Sequence, residues 1–62
     1  MAEACILVVE DEPLVRDLIA GELRDSGFTV IEARSGGEAL ERIAAHPEID
    51  LLFTDILLGG GP

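Results

Sequence analysis

The sequence predicts one α/β domain, built on a parallel sheet with helices on both faces. Short runs of branched apolar residues alternate with amphipathic stretches, in the order strand, helix, strand, helix, strand. Such crossovers are right-handed in about 98% of cases. If strands 2 and 3 flank strand 1, the two helices therefore lie on opposite faces. We predict a doubly wound βαβαβ arrangement with strand order 2-1-3.

The composition is typical of a small globular domain. Apolar residues make up 48% of the 62 residues, and the formal net charge of −9 disfavours contact with nucleic acids and anionic membranes. The apolar runs are far shorter than the ~20 residues that span a bilayer. The single cysteine, Cys5, fits a buried position. We expect a cytoplasmic protein without nucleic-acid or membrane partners.

The first strand and helix are marked by an acidic junction. Cys5–Val9 is an unbroken apolar run, typical of a strand buried on both faces, and acidic residues 10–12 end it. Apolar residues then recur at helical spacing, with Pro13 suited to the first turn and Gly27 to the C-terminal cap. Gly21 costs this helix about 1 kcal/mol relative to alanine. Either a close packing contact requires it or the helix tolerates the loss.

The second half of the chain repeats the pattern. Residues 28–33 predict strand 2, and Ser35 with Glu38 matches a capping box at the start of helix 2. His46 near the end of that helix is favoured by the helix macrodipole without any chemical role. Residues 49–54 predict strand 3.

Acidic residues follow two neighbouring strands. Glu10 and Asp11 come directly after strand 1, and Asp55 comes directly after strand 3. Adjacent strands lie only ~4.8 Å apart, and ligands of open α/β sheets bind at this edge, where the strand order reverses. Three carboxylates in one place repel one another unless a cation lies between them, and their hard oxygen atoms suit Mg²⁺.

Such a site suits phosphoryl transfer to a carboxylate. With Mg²⁺ bound, an oxygen of Asp55 can attack a phosphoryl group in line and form an aspartyl phosphate. The alternative is that Asp11 or Glu12 only caps helix 1 and that Asp55 only begins a turn. The coincidence of acids at two adjacent strand ends favours the site.

Four segments resemble the receiver domains of two-component signalling. They are residues 6–13 (ILVVEDEP), 27–28 (GF), 35–40 (SGGEAL) and 49–56 (IDLLFTDI). The resemblance covers nearly the whole chain and implies a flavodoxin-like fold. Residues 1–62 would form a partial receiver domain with strands 1 to 3 and helices 1 and 2.

The resemblance implies a role for each acidic residue. Asp55 matches the phosphorylated aspartate, and Glu10 and Asp11 match the acidic pair that holds Mg²⁺. Leu57 matches the residue whose backbone carbonyl completes the metal site. The implied phosphoryl donor is a sensor histidine kinase or a phosphotransfer protein. The implied activity is at most self-phosphorylation and autodephosphorylation on Asp55, not that of a conventional enzyme.

The chain departs from the family in length. Receiver domains have further strands and helices, which carry a hydroxyl residue and a lysine that contact the phosphoryl group, and this sequence has no lysine. Two interpretations therefore stay open: a phosphoacceptor module, or a receiver-like interaction or dimerisation module that is not phosphorylated. We expect self-association through the unpaired edge of strand 3.

Overall fold

A computed structural model describes residues 3–54. The chain forms β1 (Cys5–Val9), α1 (Pro13–Asp25), β2 (Thr29–Ala33), α2 (Gly36–Ala45) and β3 (Leu51–Thr54). The strands are parallel and form one sheet in the order β2-β1-β3. This confirms the predicted α/β class and the predicted strand order.

The central strand β1 carries the core. All five of its residues are buried. Because side chains alternate across a strand, Ile6 and Val8 pack on one face with Ala20 of α1. On the other face, Leu7 and Val9 pack with Ala39 of α2, beside Ala33 of β2. The two helices therefore cover opposite faces, as the right-handed crossovers predict.

The outer strand β3 is much less covered than β1. Both helices pack over β1 and β2, and neither comes as close to β3 in the described part of the chain. All four residues of β3 are exposed, with Leu51 and Leu52 each 56% accessible. Within residues 3–54, the buried core is therefore formed by β1, β2 and the two helices, and β3 contributes no buried residue to it.

The ends of α1 follow the sequence signals. Pro13 lies in the first turn, and Gly27 after the helix has a φ of 98°, which an L side chain rarely adopts. Gly21 lies inside the helix, and a Cβ added there meets no atom within 4 Å. The close-packing explanation for Gly21 is therefore wrong, and the helix simply tolerates the glycine.

The second strand begins one residue later than predicted. We expected it to include Phe28, but the Phe28 N–H donates to the Leu23 carbonyl at 3.1 Å. This bond belongs to the turn that closes α1, so the strand starts at Thr29.

The third strand begins two residues later than predicted. The Ile49 N–H donates to the His46 carbonyl at 3.1 Å, which keeps Ile49 in the turn after α2. The carboxylate of Asp50 accepts the Cys5 N–H at 2.8 Å. The Asp50 N–H still donates to the Cys5 carbonyl at 2.8 Å. Asp50 is therefore held against β1 by one backbone bond and one side-chain bond, and the regular strand starts at Leu51.

The start of α2 shows half of the predicted capping box. The Ser35 hydroxyl accepts the Glu38 N–H at 3.1 Å, as expected. The Glu38 carboxylate reaches back to the N–H of Arg34 at 3.1 Å. This hydrogen bond and the Arg34 guanidinium hold the pKa of Glu38 below its ordinary value. His46 lies at the C-terminal cap of α2, as predicted.

Neither α1 nor α2 is long and apolar enough to cross a membrane. Cys5 is buried, as predicted. Its burial, together with the negative charges of Glu48 and Asp50, raises the pKa of the Cys5 thiol.

Candidate functional site

The carboxyl edge of the sheet brings three strand ends together. Val9 pairs with Ala33 on one side and with Thr54 on the other. The Glu10 N–H donates to the Ala33 carbonyl at 3.0 Å, which extends the pairing of β1 and β2 by one residue. The backbone of Glu10 is therefore fixed at this edge, next to the end of β3.

The side chain of Glu10 turns back onto the loop that follows it. Glu10 is only 9% exposed, and its Oε2 accepts the Glu12 N–H at 3.0 Å. A carboxylate has further lone pairs after one hydrogen bond. Glu10 can therefore hold the loop and still offer oxygen to a cation.

Asp11 differs from Glu10 in its surroundings. It is exposed, and among residues 3–54 it takes part in none of the ion pairs. Its charge is compensated by no neighbouring arginine. A carboxylate in this state is available to a cation from solvent.

Glu12 does not support the simpler capping explanation. It occupies the N-cap position of α1, but its side chain makes no cap hydrogen bond. Its carbonyl accepts the Arg16 N–H at 2.9 Å, which is the first hydrogen bond of the helix. The N-cap residue of α1 therefore does not use its acidic side chain to cap the helix.

Arg16 is the residue that the sequence analysis missed. Its NH1 donates to the Glu10 carbonyl at 2.8 Å, and its Nε donates to Glu32 Oε1 at 3.3 Å. The one signal in the sequence is an arginine one turn into a helix that follows an acidic junction. That signal does not predict which backbone atom the guanidinium contacts.

Glu32 of β2 joins two arginines of α1. Its second oxygen, Oε2, lies 3.1 Å from NH1 of Arg24. The Glu32 side chain is 27% exposed and that of Arg16 is 18% exposed. A partly buried carboxylate is destabilising unless its charge is compensated. Arg16 and Arg24 compensate the charge of Glu32, one at each carboxylate oxygen.

The described residues contain only part of the predicted metal site. Glu10 and Asp11 lie side by side at the predicted edge, whereas Asp55 and Leu57 lie outside the described residues. No group of three histidine, cysteine or acidic side chains that could hold a metal occurs in residues 3–54.

A separate apolar groove lies between α2 and β3. Its volume is about 280 Å³. Its lining comes from three strand residues and four residues of α2, namely Val9, Leu52, Thr54, Gly36, Ala39, Leu40 and Ile43. The groove does not include Glu10 or Asp11, so it is distinct from the acidic junction.

Comparison with known proteins agrees with this arrangement. The family model for the response regulator receiver domain matches residues 6–61. The chain is 46% identical over 55 residues to the nitrogen assimilation regulatory protein NtrX of Azorhizobium caulinodans. The aligned segment covers 89% of this chain and 12% of that protein. No solved structure matches the chain significantly.

Two further relatives come from other lineages. The two-component response regulator ORR11 of Oryza sativa subsp. indica is 40% identical over 81% of this chain and 34% of its own length. The transcriptional regulatory protein YvrH of Bacillus subtilis is 34% identical over 97% of this chain and 25% of its own length. The chain spans about a tenth to a third of these relatives. The family match and the βαβαβ sheet together show that the chain belongs to the response regulator receiver domain family.

Proposed function

We propose that this chain is a phosphoacceptor module of a two-component phosphorelay. Asp55 accepts the phosphoryl group from a sensor histidine kinase or a phosphotransfer protein. Glu10, Asp11, Asp55 and the backbone carbonyl of Leu57 hold Mg²⁺. Residues 1–62 act as a partial receiver domain in the cytoplasm. The match of residues 6–61 to the receiver family is the observation that carries this proposal.

The strand register supports a shared site. Thr54 is the partner of Val9 in the sheet, so the chain leaves β3 beside the point where it leaves β1. Glu10 directly follows Val9, so the described end of β3 lies beside the start of the acidic junction. This register supports the proposal that the residue after Thr54 in the sequence shares a site with Glu10.

The acidic junction fits the chemistry of a magnesium ion. Glu10 retains lone pairs beyond its bond to Glu12, and Asp11 is exposed and outside the described ion pairs. Hard oxygen donors of this kind are the ligands that Mg²⁺ prefers. When bound, Mg²⁺ would stabilise negative charge on the oxygens of the transferred group.

The transfer step uses the Asp55 carboxylate as the nucleophile. One carboxylate oxygen forms a bond to phosphorus while the bond from phosphorus to the donor breaks. If the donor is a phosphohistidine, the imidazole nitrogen leaves and takes up a proton. Glu10 and Asp11 would act in this step as metal ligands and not as general acids.

Intact-mass measurement tests the proposal. The chain is incubated with acetyl phosphate, with Mg²⁺ or with EDTA, beside an Asp55→Asn variant and an Asp11→Asn variant. We expect a gain of one phosphoryl group that requires both Mg²⁺ and Asp55 and that is strongly reduced in Asp11→Asn. A folded chain that gains no mass, or an Asp55→Asn variant that gains as much, would contradict the proposal.

A second function is favoured by the exposed strand β3. We propose, as the alternative, a receiver-like interaction or dimerisation module that is not phosphorylated. Leu51, Leu52 and Phe53 are all exposed and contiguous. An exposed apolar edge strand is prone to pair with another chain.

Sedimentation at several protein concentrations distinguishes the two functions. A dimerisation module predicts self-association that a Phe53→Lys substitution abolishes, because a charge on the apolar strand opposes pairing. It also predicts no phosphoryl gain in the acetyl phosphate experiment. Self-association combined with Mg²⁺-dependent phosphorylation would favour the phosphoacceptor module, with β3 as an additional contact surface.

A further inference from the structure

We infer that Arg16 is a positioning residue for the acidic junction, residues 10–12, and so for the metal site. This inference rests on the proposed function, because it assigns a role in magnesium binding. It goes beyond that function by naming a residue outside the ligand set and the contact through which it acts.

The contact is made at the backbone of Glu10 and not at its carboxylate. NH1 of Arg16 donates to the Glu10 carbonyl at 2.8 Å, while the Glu10 N–H donates to the Ala33 carbonyl at 3.0 Å. Both backbone groups of Glu10 are therefore occupied. The peptide that links Glu10 to Asp11 is held in one orientation, with the two carboxylates left unpaired by arginine.

Glu32 holds the guanidinium of Arg16 in place. Its Oε1 accepts from Nε of Arg16 at 3.3 Å, and the Arg16 side chain is only 18% exposed. The guanidinium thus contacts β2 through one nitrogen and the junction after β1 through another. The planar, rigid geometry of arginine makes one side chain able to fix both distances.

The same ion pair compensates the charge of Arg16. Glu32 carries the opposite charge, so Arg16 does not need Glu10 or Asp11 as its counter-ion. A cation at the junction then does not have to displace an arginine from its ligands. Groups that orient metal ligands in this way typically change metal affinity by about 10–100-fold when they are removed.

Arg24 provides a matched comparison on the same helix. Its NH1 lies 3.1 Å from Glu32 Oε2, so it also forms an ion pair with Glu32. Its other hydrogen bond goes to the carbonyl of Val30, the second residue of β2. Loss of either arginine removes one ion pair of Glu32, but only loss of Arg16 frees the acidic junction.

The test compares Arg16→Met, Arg16→Lys and Arg24→Met with the unsubstituted 62-residue chain. Binding of Mn²⁺, used as the probe metal, is followed by the loss of the free-ion signal in electron paramagnetic resonance. Amide hydrogen exchange of Glu12, whose N–H is bonded to Glu10, is measured by NMR without metal. Circular dichroism confirms that each variant is folded.

We expect Arg16→Met to weaken Mn²⁺ binding about tenfold or more and to accelerate exchange at Glu12. Arg16→Lys should recover part of the affinity, because lysine restores one donor but not the planar pair of nitrogens. Arg24→Met should change neither measurement by more than about twofold. Equal effects of Arg16→Met and Arg24→Met, or no effect of either, would overturn the inference.

Failure of the proposed function has a different signature. If the unsubstituted chain binds no Mn²⁺, the magnesium site is contradicted. Amide exchange at Glu12 then tests the structural role of Arg16 alone. Faster exchange confined to Arg16→Met supports the claim that Arg16 fixes the acidic junction, and unchanged exchange refutes it.

Discussion

The two outer strands of the sheet, β2 and β3, differ in what contacts them. On β2, the carbonyls of Val30 and Glu32 point away from β1, and they accept hydrogen bonds from Arg24 of α1 and Arg42 of α2. On β3, three of the four exposed residues are apolar, and within residues 3–54 the strand pairs with β1 on one side while neither helix packs closely on it.

This difference restricts where another strand can add. Side chains that occupy the free carbonyls of an edge strand block pairing there. One helix from each face supplies an arginine to β2, so the outward carbonyls of Val30 and Glu32 are both occupied. In the described part of the chain, no arginine makes such a bond to residues 51–53 of β3, and Asp55 follows this strand in the sequence.

The largest contrast is expected between two leucines that are neighbours in the sheet. Leu7 is fully buried and pairs with Leu52, which is 56% exposed. Leu7→Ala should cost about 2–5 kcal/mol of unfolding free energy, enough to unfold a domain this small. Leu52→Ala should cost less than about 1 kcal/mol. Urea unfolding measures both, and equal costs would show that β3 is as well packed as β1.

The next largest effect is expected from opening the β2 edge. The double variant Arg24→Met and Arg42→Met frees both outer carbonyls, at a cost of about 1 kcal/mol for each arginine. With two open edges, the chains should form assemblies larger than pairs in sedimentation experiments. Arg34→Met is the control, because Arg34 pairs with Glu38 and not with the β2 edge. Unchanged assembly in the double variant would show that the arginines do not protect this edge.

Substitution of two glycines, one inside α1 and one just after it, should change the stability of the chain in opposite directions. Gly21→Ala should stabilise the chain by about 0.5–1 kcal/mol, because an added Cβ meets no atom and alanine favours the helix. Gly27→Ala should destabilise it by about 1 kcal/mol, because φ is 98° there. Thermal unfolding measures both. A stabilising Gly27→Ala would contradict the left-handed turn after α1.

The smallest effect is expected at Glu38, at the start of α2. The Arg34 N–H and the charges of Arg34 and Arg42 lower the pKa of Glu38 in the folded chain. Its stabilising contribution should therefore be complete above the ordinary glutamate pKa of about 4.3 and disappear as the pH falls through the lowered pKa. Urea unfolding of the Glu38→Gln variant and the unsubstituted chain should differ at pH 7, and the difference should shrink as the pH falls through the lowered pKa. A difference independent of pH would exclude this carboxylate as its source.

The fold could be predicted almost entirely from local patterns. The apolar run of β1 and the helical spacing after Pro13 are local features, and the crossover rule converts them into the order β2-β1-β3. The start of β3 could not be predicted. Ile49 is bonded into the turn after α2, and the Asp50 carboxylate accepts the N–H of Cys5, which is 45 residues away in sequence.

The site could be predicted only in part. The positions of Glu10 and Asp11 follow from the strand end. Two hydrogen bonds at this strand end do not follow from it. One joins the Glu12 N–H to the Glu10 carboxylate, and the other joins Arg16 to the Glu10 carbonyl. The bond from Arg16 depends on how α1 lies over the sheet, and a long, flexible arginine has many partners within reach before that packing is known.

Locating the phosphoryl group on the chain tests the central claim most directly. After incubation with acetyl phosphate and Mg²⁺, borohydride reduction converts an aspartyl phosphate to homoserine, and trypsin cleavage after Arg42 releases residues 43–62 for sequencing by mass spectrometry. We predict homoserine at Asp55, dependent on Mg²⁺, with Asp50 of the same peptide unmodified. Homoserine at Asp50 or Asp11, or none in a chain shown to be folded, would contradict the assignment of Asp55 as the phosphoacceptor.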